Sequence, residues 1–123
     1  MKKIALLLVF VFFFVINTQA KYTQSCVVRY MTKDGWSKKY TVNVSFYSGS
    51  ELNKATNSFK YSSFSVYAII FWDNEEATVI KISSFLICSE IVDSDCITNT
   101  VGDLKGADQD GDSWKICISD YCY

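Results

Sequence analysis

Residues 38–47 read "KKYTVNVSFY", and from Tyr40 the stretch alternates strictly. Tyr40, Val42, Val44 and Phe46 fall on one face; Thr41, Asn43 and Ser45 fall on the other. A period of two belongs to an extended strand with one face on a core and the other in water. A helix would scatter the same residues around its surface. The stretch therefore predicts an antiparallel β-strand, and its neighbours extend that reading in both directions.

Upstream, "SCVVRYM" (25–31) alternates as well, with Cys26, Val28 and Tyr30 opposite Val27, Arg29 and Met31. "TKDGW" (32–36) breaks it at Asp34-Gly35, a hairpin signal. Downstream, "SGSELNKATNS" (48–58) is polar; Ser48 or Ser50 fits as the cap of a short helical turn through Glu51 to Ala55, and a plain loop fits equally. "FSVYAIIFW" (64–72) is apolar on both faces from Tyr67, which predicts a central strand. "DNEE" (73–76) turns the chain, and "ATVIKIS" (77–83) returns with Thr78, Ile80 and Ile82 opposite Ala77, Val79 and Lys81. "SFLIC" (84–88) continues the apolar character or bends into a new strand, and "SEIVDSDCITNT" (89–100) is an acidic excursion suited to a disulfide. Two last strands are expected near 101–107 and 113–119. Pro is absent and β-branched and aromatic residues dominate. The expectation is an all-β fold: a small antiparallel β-sandwich or barrel of about seven strands with disulfides.

The first twenty residues read as an export address. Lys2 and Lys3 precede the apolar run "IALLLVFVFFFVI" (4–16), and "NTQA" offers a cleavage site after Ala20. A membrane span needs about 20 apolar residues, more than this run supplies. Residues 1–20 are thus expected to be a signal peptide of bacterial type, and 21–123 a single β domain. The destination is periplasmic or extracellular, with no stable membrane insertion after cleavage. Without Lys2 and Lys3, ten Lys or Arg stand against thirteen Asp or Glu. No basic stripe exists, which argues against nucleic acid. The sequon Asn43-Val44-Ser45 is read as accidental in such a context.

Five cysteines follow: Cys26, Cys88, Cys96, Cys117 and Cys122. With no C-x-x-C and no His, they read as disulfide partners and not as metal ligands. Spacing favours Cys88–Cys96 and Cys117–Cys122 with Cys26 left over; a long bridge from Cys26 to the C-terminal pair is the rival.

"GADQDGDSWKICISDYCY" (106–123) places Asp108, Asp110 and Asp112 at alternate positions. As a calcium loop of the EF-hand kind it fails twice, because Ser113 stands where the turn needs Gly and Ser119 where a bidentate Glu belongs. As a hairpin it succeeds. Setting Leu104 opposite Ile116 leaves the three-residue loop Gln109-Asp110-Gly111, with Gly111 at the left-handed position. That register also pairs Gly106 with Trp114 and sets Asp108 across from Asp112. A weak calcium site at Asp108, Asp110 and Asp112 stays open as the only cofactor; none other is expected.

Catalytic groups are scarce. There is no His and no G-x-S-x-G; Glu75-Glu76 would point apart on a strand, Ser83-Ser84 has no base, and Cys26 lacks a His partner. An enzyme is therefore not expected. Tyr61, Tyr67, Tyr121 and Tyr123 read as partly exposed and able to serve a protein or glycan surface.

"YAIIFWDNEEATVIKI" (67–82) resembles the strand–Trp–turn–Glu-Ala–strand segment of the small periplasmic inhibitors of C-type lysozyme, at Trp72, Glu76 and Ala77. The resemblance covers about 16 residues and implies a disulfide-containing β-barrel. The family's Ser-Gly-x-x-Tyr segment is not matched by "YSSFSVY" (61–67), so its inhibitory loop is not carried over. Three functions are thus set against each other: an exported, non-enzymatic binding module with an unknown protein or glycan partner, a periplasmic inhibitor of a lysozyme-like cell-wall hydrolase, and a small extracellular enzyme.

Overall fold

The computed structural model describes residues 22–84, 86, 88, 91–98 and 103–118. Seven strands run β1 (Tyr22–Thr32), β2 (Gly35–Trp36), β3 (Tyr40–Ser48), β4 (Val66–Phe71), β5 (Ala77–Ile82), β6 (Leu104–Asp108) and β7 (Ser113–Ile118). Two helices interrupt them: α1 (Gly49–Thr56) and α2 (Ser94–Thr98). Each strand pairs antiparallel with its neighbours in the order β2-β1-β3-β4-β5-β6-β7, and β1 also pairs with β7. Six strands therefore close on themselves, with β2 extending the first, so the expected choice between sandwich and barrel falls to the barrel.

Closure decides which face is inside. The alternation expected in β3 holds: Val44 and Phe46 are fully buried, while Thr41 and Asn43 are exposed. Cys26, Val28, Ala68, Ile70, Ile80, Leu104 and Ile116 join them in one packed interior. A six-stranded barrel is narrow enough for side chains to fill it. β4 is covered on both faces, as expected of a central strand, for a reason that a barrel requires. Its outer residues Tyr67 and Ile69, with Tyr47, Ala77 and Val79 beside them, lie under Leu52 and Ala55 of α1. The helix alternative for 48–58 is the one realised. Ser48 caps it, accepting from the Glu51 amide at 3.0 Å, while the Glu51 carboxylate takes the Ser48 amide at 2.9 Å.

One expectation needs correction. Ser84, Leu86 and Cys88 are not in a strand; the Ser83 amide donates to the Lys105 carbonyl at 2.7 Å and the chain then leaves the sheet. The acidic excursion after it carries the disulfide expected of it and also turns apolar residues inward. Val92 and Ile97 are completely buried and join the barrel interior with Leu86, and the Val92 amide donates to Glu51 at 3.2 Å. Leu86, Val92 and Ile97 thus form a plug at the end of the barrel where β3 and β5 finish.

Cys88 and Cys96 form the expected disulfide, with a Cα–Cα distance of 5.2 Å. Cys26 is a free, buried thiol, so the rival bridge from Cys26 is overturned. Register supplies the reason. Cys26 pairs with Ile118 and Val27 with Cys117, and alternate side chains point to opposite faces, so Cys26 turns inward where Cys117 turns outward. Cys117 is disulfide-bonded. Cys122 and residues 1–20 lie outside the described residues.

Candidate functional site

At the end opposite the plug, β1, β4 and β6 finish and β3, β5 and β7 begin, so three hairpin tips gather there. Inward parity brings Tyr30, Tyr40, Trp72, Thr78, Asp108 and Trp114 to this mouth. Four of these are aromatic and form an unbroken series. Trp114 lies 5.2 Å from Tyr30, Tyr30 stacks on Tyr40 at 6.3 Å and 12° between planes, and Tyr40 meets Trp72 edge-on at 6.5 Å. Trp114 is buried; Tyr30, Tyr40 and Trp72 are half-buried.

Each indole is held by its N–H. Trp72 Nε1 donates to Thr78 Oγ1 at 2.8 Å, and Trp114 Nε1 donates to Asp108 Oδ2 at 2.8 Å. The Tyr30 phenol is pushed above its ordinary value first by its hydrogen bond with Tyr40, against the opposing pull of Lys38. Lys38 Nζ stands 5.2 Å from the Tyr40 ring centre, so a cation already rests on this aromatic face. The three tips add Asp34, Asp73, Glu75, Glu76, Asp110 and Asp112 to Asp108, seven of the chain's thirteen carboxylates. Aromatic faces with hydroxyl tips in an acidic frame can stack on a sugar ring or take a basic side chain. Among the described residues, the mouth offers no nucleophile paired with a base.

The acidic tip is a hairpin with the expected register: Leu104 faces Ile116 and Gly106 faces Trp114. The Asp108 amide donates to the Asp112 carbonyl at 2.9 Å, the Gly111 amide donates to the Asp108 carbonyl at 3.0 Å, and Gly111 has φ 87°. Gly106 has a steric reason of its own. A Cβ there would lie 2.4 Å from the Lys81 carbonyl oxygen, so β5 itself passes too close for a side chain. One carboxylate oxygen from each of Asp108, Asp110 and Asp112 falls within 4.8 Å of the others, a spacing a cation could bridge. Asp108 is already engaged, however. Its Oδ1 accepts the amides of Asp110 and Asp112, each at 2.9 Å, and its Oδ2 holds Trp114. This carboxylate organises the tip.

The tyrosines expected at a surface separate. Tyr67 is only 6% exposed, because α1 covers the outer face of β4, so it is corrected from surface to core. Tyr61 is half-buried and packs edge-on against Tyr67 at 5.2 Å. Tyr121 and Tyr123 lie outside the described residues. The alternation reading placed Tyr30 and Tyr40 inward, but the mouth they form becomes visible only once strand ends are brought together by closure. The candidate catalytic groups are used structurally. Ser83 Oγ donates to the Lys105 carbonyl at 3.1 Å and Ser84 Oγ accepts the Lys105 amide at 2.8 Å. Glu76 Oε1 accepts from Asn74 at 2.7 Å, and burial pushes the Cys26 thiol up to about 12.

Comparison with protein-family models, with curated proteins and with solved structures finds no match.

Proposed function

We propose that this chain is an exported, non-enzymatic binding module that takes its partner on the aromatic mouth of the barrel. The observation that carries the reading is the contact series Trp114–Tyr30–Tyr40–Trp72, three of whose rings keep part of their surface in water. Concave, aromatic-lined barrel mouths with a few placed polar groups are common binding sites. The partner is a glycan that stacks on the rings, or a protein that presents basic side chains to the carboxylates around them. The Cys88–Cys96 bridge is compatible with an oxidising destination, and no helix among the described residues is long and apolar enough to cross a membrane. Reading the module as a binder and not as a small enzyme is supported by the hydrogen bonds that engage Ser83, Ser84 and Glu76 and by the burial of Cys26.

The test is capture by the oxidised protein, compared with the Tyr30→Ala/Tyr40→Ala variant. A partner retained by the parent and lost by a variant that still melts cooperatively is the expected result. Equal capture by both would exclude the mouth. The inhibitor reading is supported by one further feature: residues 67–82 fold as the β4–β5 hairpin, whose tip stands at this same mouth. Loss of muramidase turnover at stoichiometric concentration, restored by changes at Tyr40 or Trp72, would assign that partner.

A further inference from the structure

Away from the mouth, the connection 57–65 carries two phenylalanines that touch nothing. Phe59 is 99% exposed and Phe64 101% exposed. The loop that bears them is held from several sides. Asn53 takes both backbone groups of Tyr61, donating to its carbonyl at 2.9 Å and accepting its amide at 3.0 Å. Tyr67 accepts the Ser62 amide at 2.9 Å, and the Gly49 amide donates to the Ser65 carbonyl at 2.9 Å. A Cβ on Gly49 would overlap the Ser62 carbonyl at 1.7 Å, so the loop lies directly against the start of α1. Tyr61 folds inward between two phenylalanines that stay outside. A loop so fastened presents its outer rings at little further ordering cost.

The surroundings say what covers them. From Leu52 to Trp72 the chain has Lys54 and Lys60 and no Asp or Glu, within a molecule otherwise in acidic excess. Both lysines are exposed. Rings at full exposure also make no patch with each other. A protein partner would need two separate pockets for them, whereas the interfacial region of a bilayer admits both without shape matching. Aromatic rings beside lysines are the composition of membrane-interface segments.

We propose that the 57–65 loop is a phospholipid-binding anchor. Phe59 and Phe64 enter the interfacial region of a bilayer, and Lys54 and Lys60 meet lipid phosphates. The association is peripheral and spans nothing.

Co-sedimentation of the oxidised protein with vesicles tests this, using phosphatidylcholine alone and phosphatidylcholine with phosphatidylglycerol in equal parts. The expected result is binding to the mixed vesicles that falls at least about tenfold for each of Phe59→Ala and Phe64→Ala. Lys54→Gln and Lys60→Gln each lower it about fivefold, and only on the anionic vesicles. Neither ring contacts the fold, so the alanine variants should melt like the parent, which separates lost binding from lost structure. A Phe64→Trp probe should be quenched by brominated lipid. Equal sedimentation of parent and Phe59→Ala/Phe64→Ala would overturn the proposal. So would a dimer that this double variant converts to monomer, since the rings would then belong to a second copy of the chain.

Discussion

Asp108 shows how much one side chain can decide. Its carboxylate accepts two backbone amides of its own turn and the indole N–H of Trp114. Asp108→Asn keeps an oxygen for the amides but turns an N–H₂ donor toward the indole donor. That substitution should destabilise by about 1–3 kcal/mol, the range for leaving a polar group unpaired. Exposed Asp110, whose side chain faces water, should change stability by no more than about 0.5 kcal/mol when truncated to Ala. Chemical denaturation of the two variants checks the order, and equal losses would mean that Asp108 is only one acid among three. Calcium belongs to the same test. A ligand that binds the folded state raises the melting temperature by mass action; with Asp108 already engaged, melts in millimolar calcium and in chelator should coincide. Gln109 is a second such residue. Its amide donates to the Ala77 carbonyl at 3.0 Å and accepts the Val79 amide at 2.9 Å, continuing the β5–β6 seam beyond its last backbone pair, Ile80–Asp108. Gln109→Ala should cost about 1–2 kcal/mol. In Gln109→Glu the carboxylate would face the Ala77 carbonyl with a second acceptor, so that variant should be weaker at neutral pH. It should recover at about pH 4 and below, where the protonated acid can donate again. Recovery absent from acid denaturation profiles would count against the seam. Nothing in the sequence marks Gln109 for this role, because its partners lie about 30 residues away.

Among the elements, the β4–β5 and β6–β7 hairpin tips share one geometry and fill it differently. The β6–β7 tip has Gly111 at φ 87°, and the β1–β2 tip has Gly35 at φ 116°. The β4–β5 tip repeats the bonding of the former, with the Trp72 amide on the Glu76 carbonyl at 2.8 Å and the Glu75 amide on the Trp72 carbonyl at 3.2 Å. Its left-handed residue is Glu75, at φ 64°. A non-glycine residue there is disfavoured by about 1–2 kcal/mol, part of which glycine gives back through the freer unfolded chain. Glu75→Gly should therefore stabilise by about 0.5–1 kcal/mol, and Gly111→Val should destabilise by more than about 1 kcal/mol. Thermal melts read both, and a loss in Glu75→Gly would show that the side chain contributes more than its backbone strain removes. Hairpins were the legible part of this chain, since period and turn chemistry are local. The register Leu104–Ile116 followed from them directly. The plug was not legible. Val92 and Ile97 sit among acids and next to Cys96, and only the closed end of the barrel explains their burial. The aromatic mouth was hidden for the same reason: its rings lie on β1, β3 and β7 and just past the end of β4.

At the scale of the molecule, closure rests on β1 meeting β7, strands at opposite ends of the described chain, and Cys26 lies in that seam opposite Ile118. Only 1% of its surface is exposed. Burial pushes its thiol from 9.0 up to about 12, so the folded protein keeps a proton that the unfolded chain gives up. Below the ordinary thiol value both states are protonated and nothing changes. As the pH rises from about 9 to about 12 the unfolded state is favoured, by at most about 1.4 kcal/mol for each pH unit. Burial acts with the same sign on the phenols of Tyr22 and Tyr61, from their ordinary 10.0 upward. The barrel should thus have an alkaline limit set first by Cys26. There is a chemical consequence too. A thiolate released by opening attacks disulfides, and Cys88–Cys96 is at hand. Unfolding of the parent near pH 9 should become irreversible with time and yield shuffled species in non-reducing peptide maps. In Cys26→Val, close to the original in volume, the fall in stability between pH 9 and 10 should shrink to the smaller part due to the phenols, and refolding should remain reversible. Parallel stability profiles for the two proteins across that interval would show that the seam titrates through some other group.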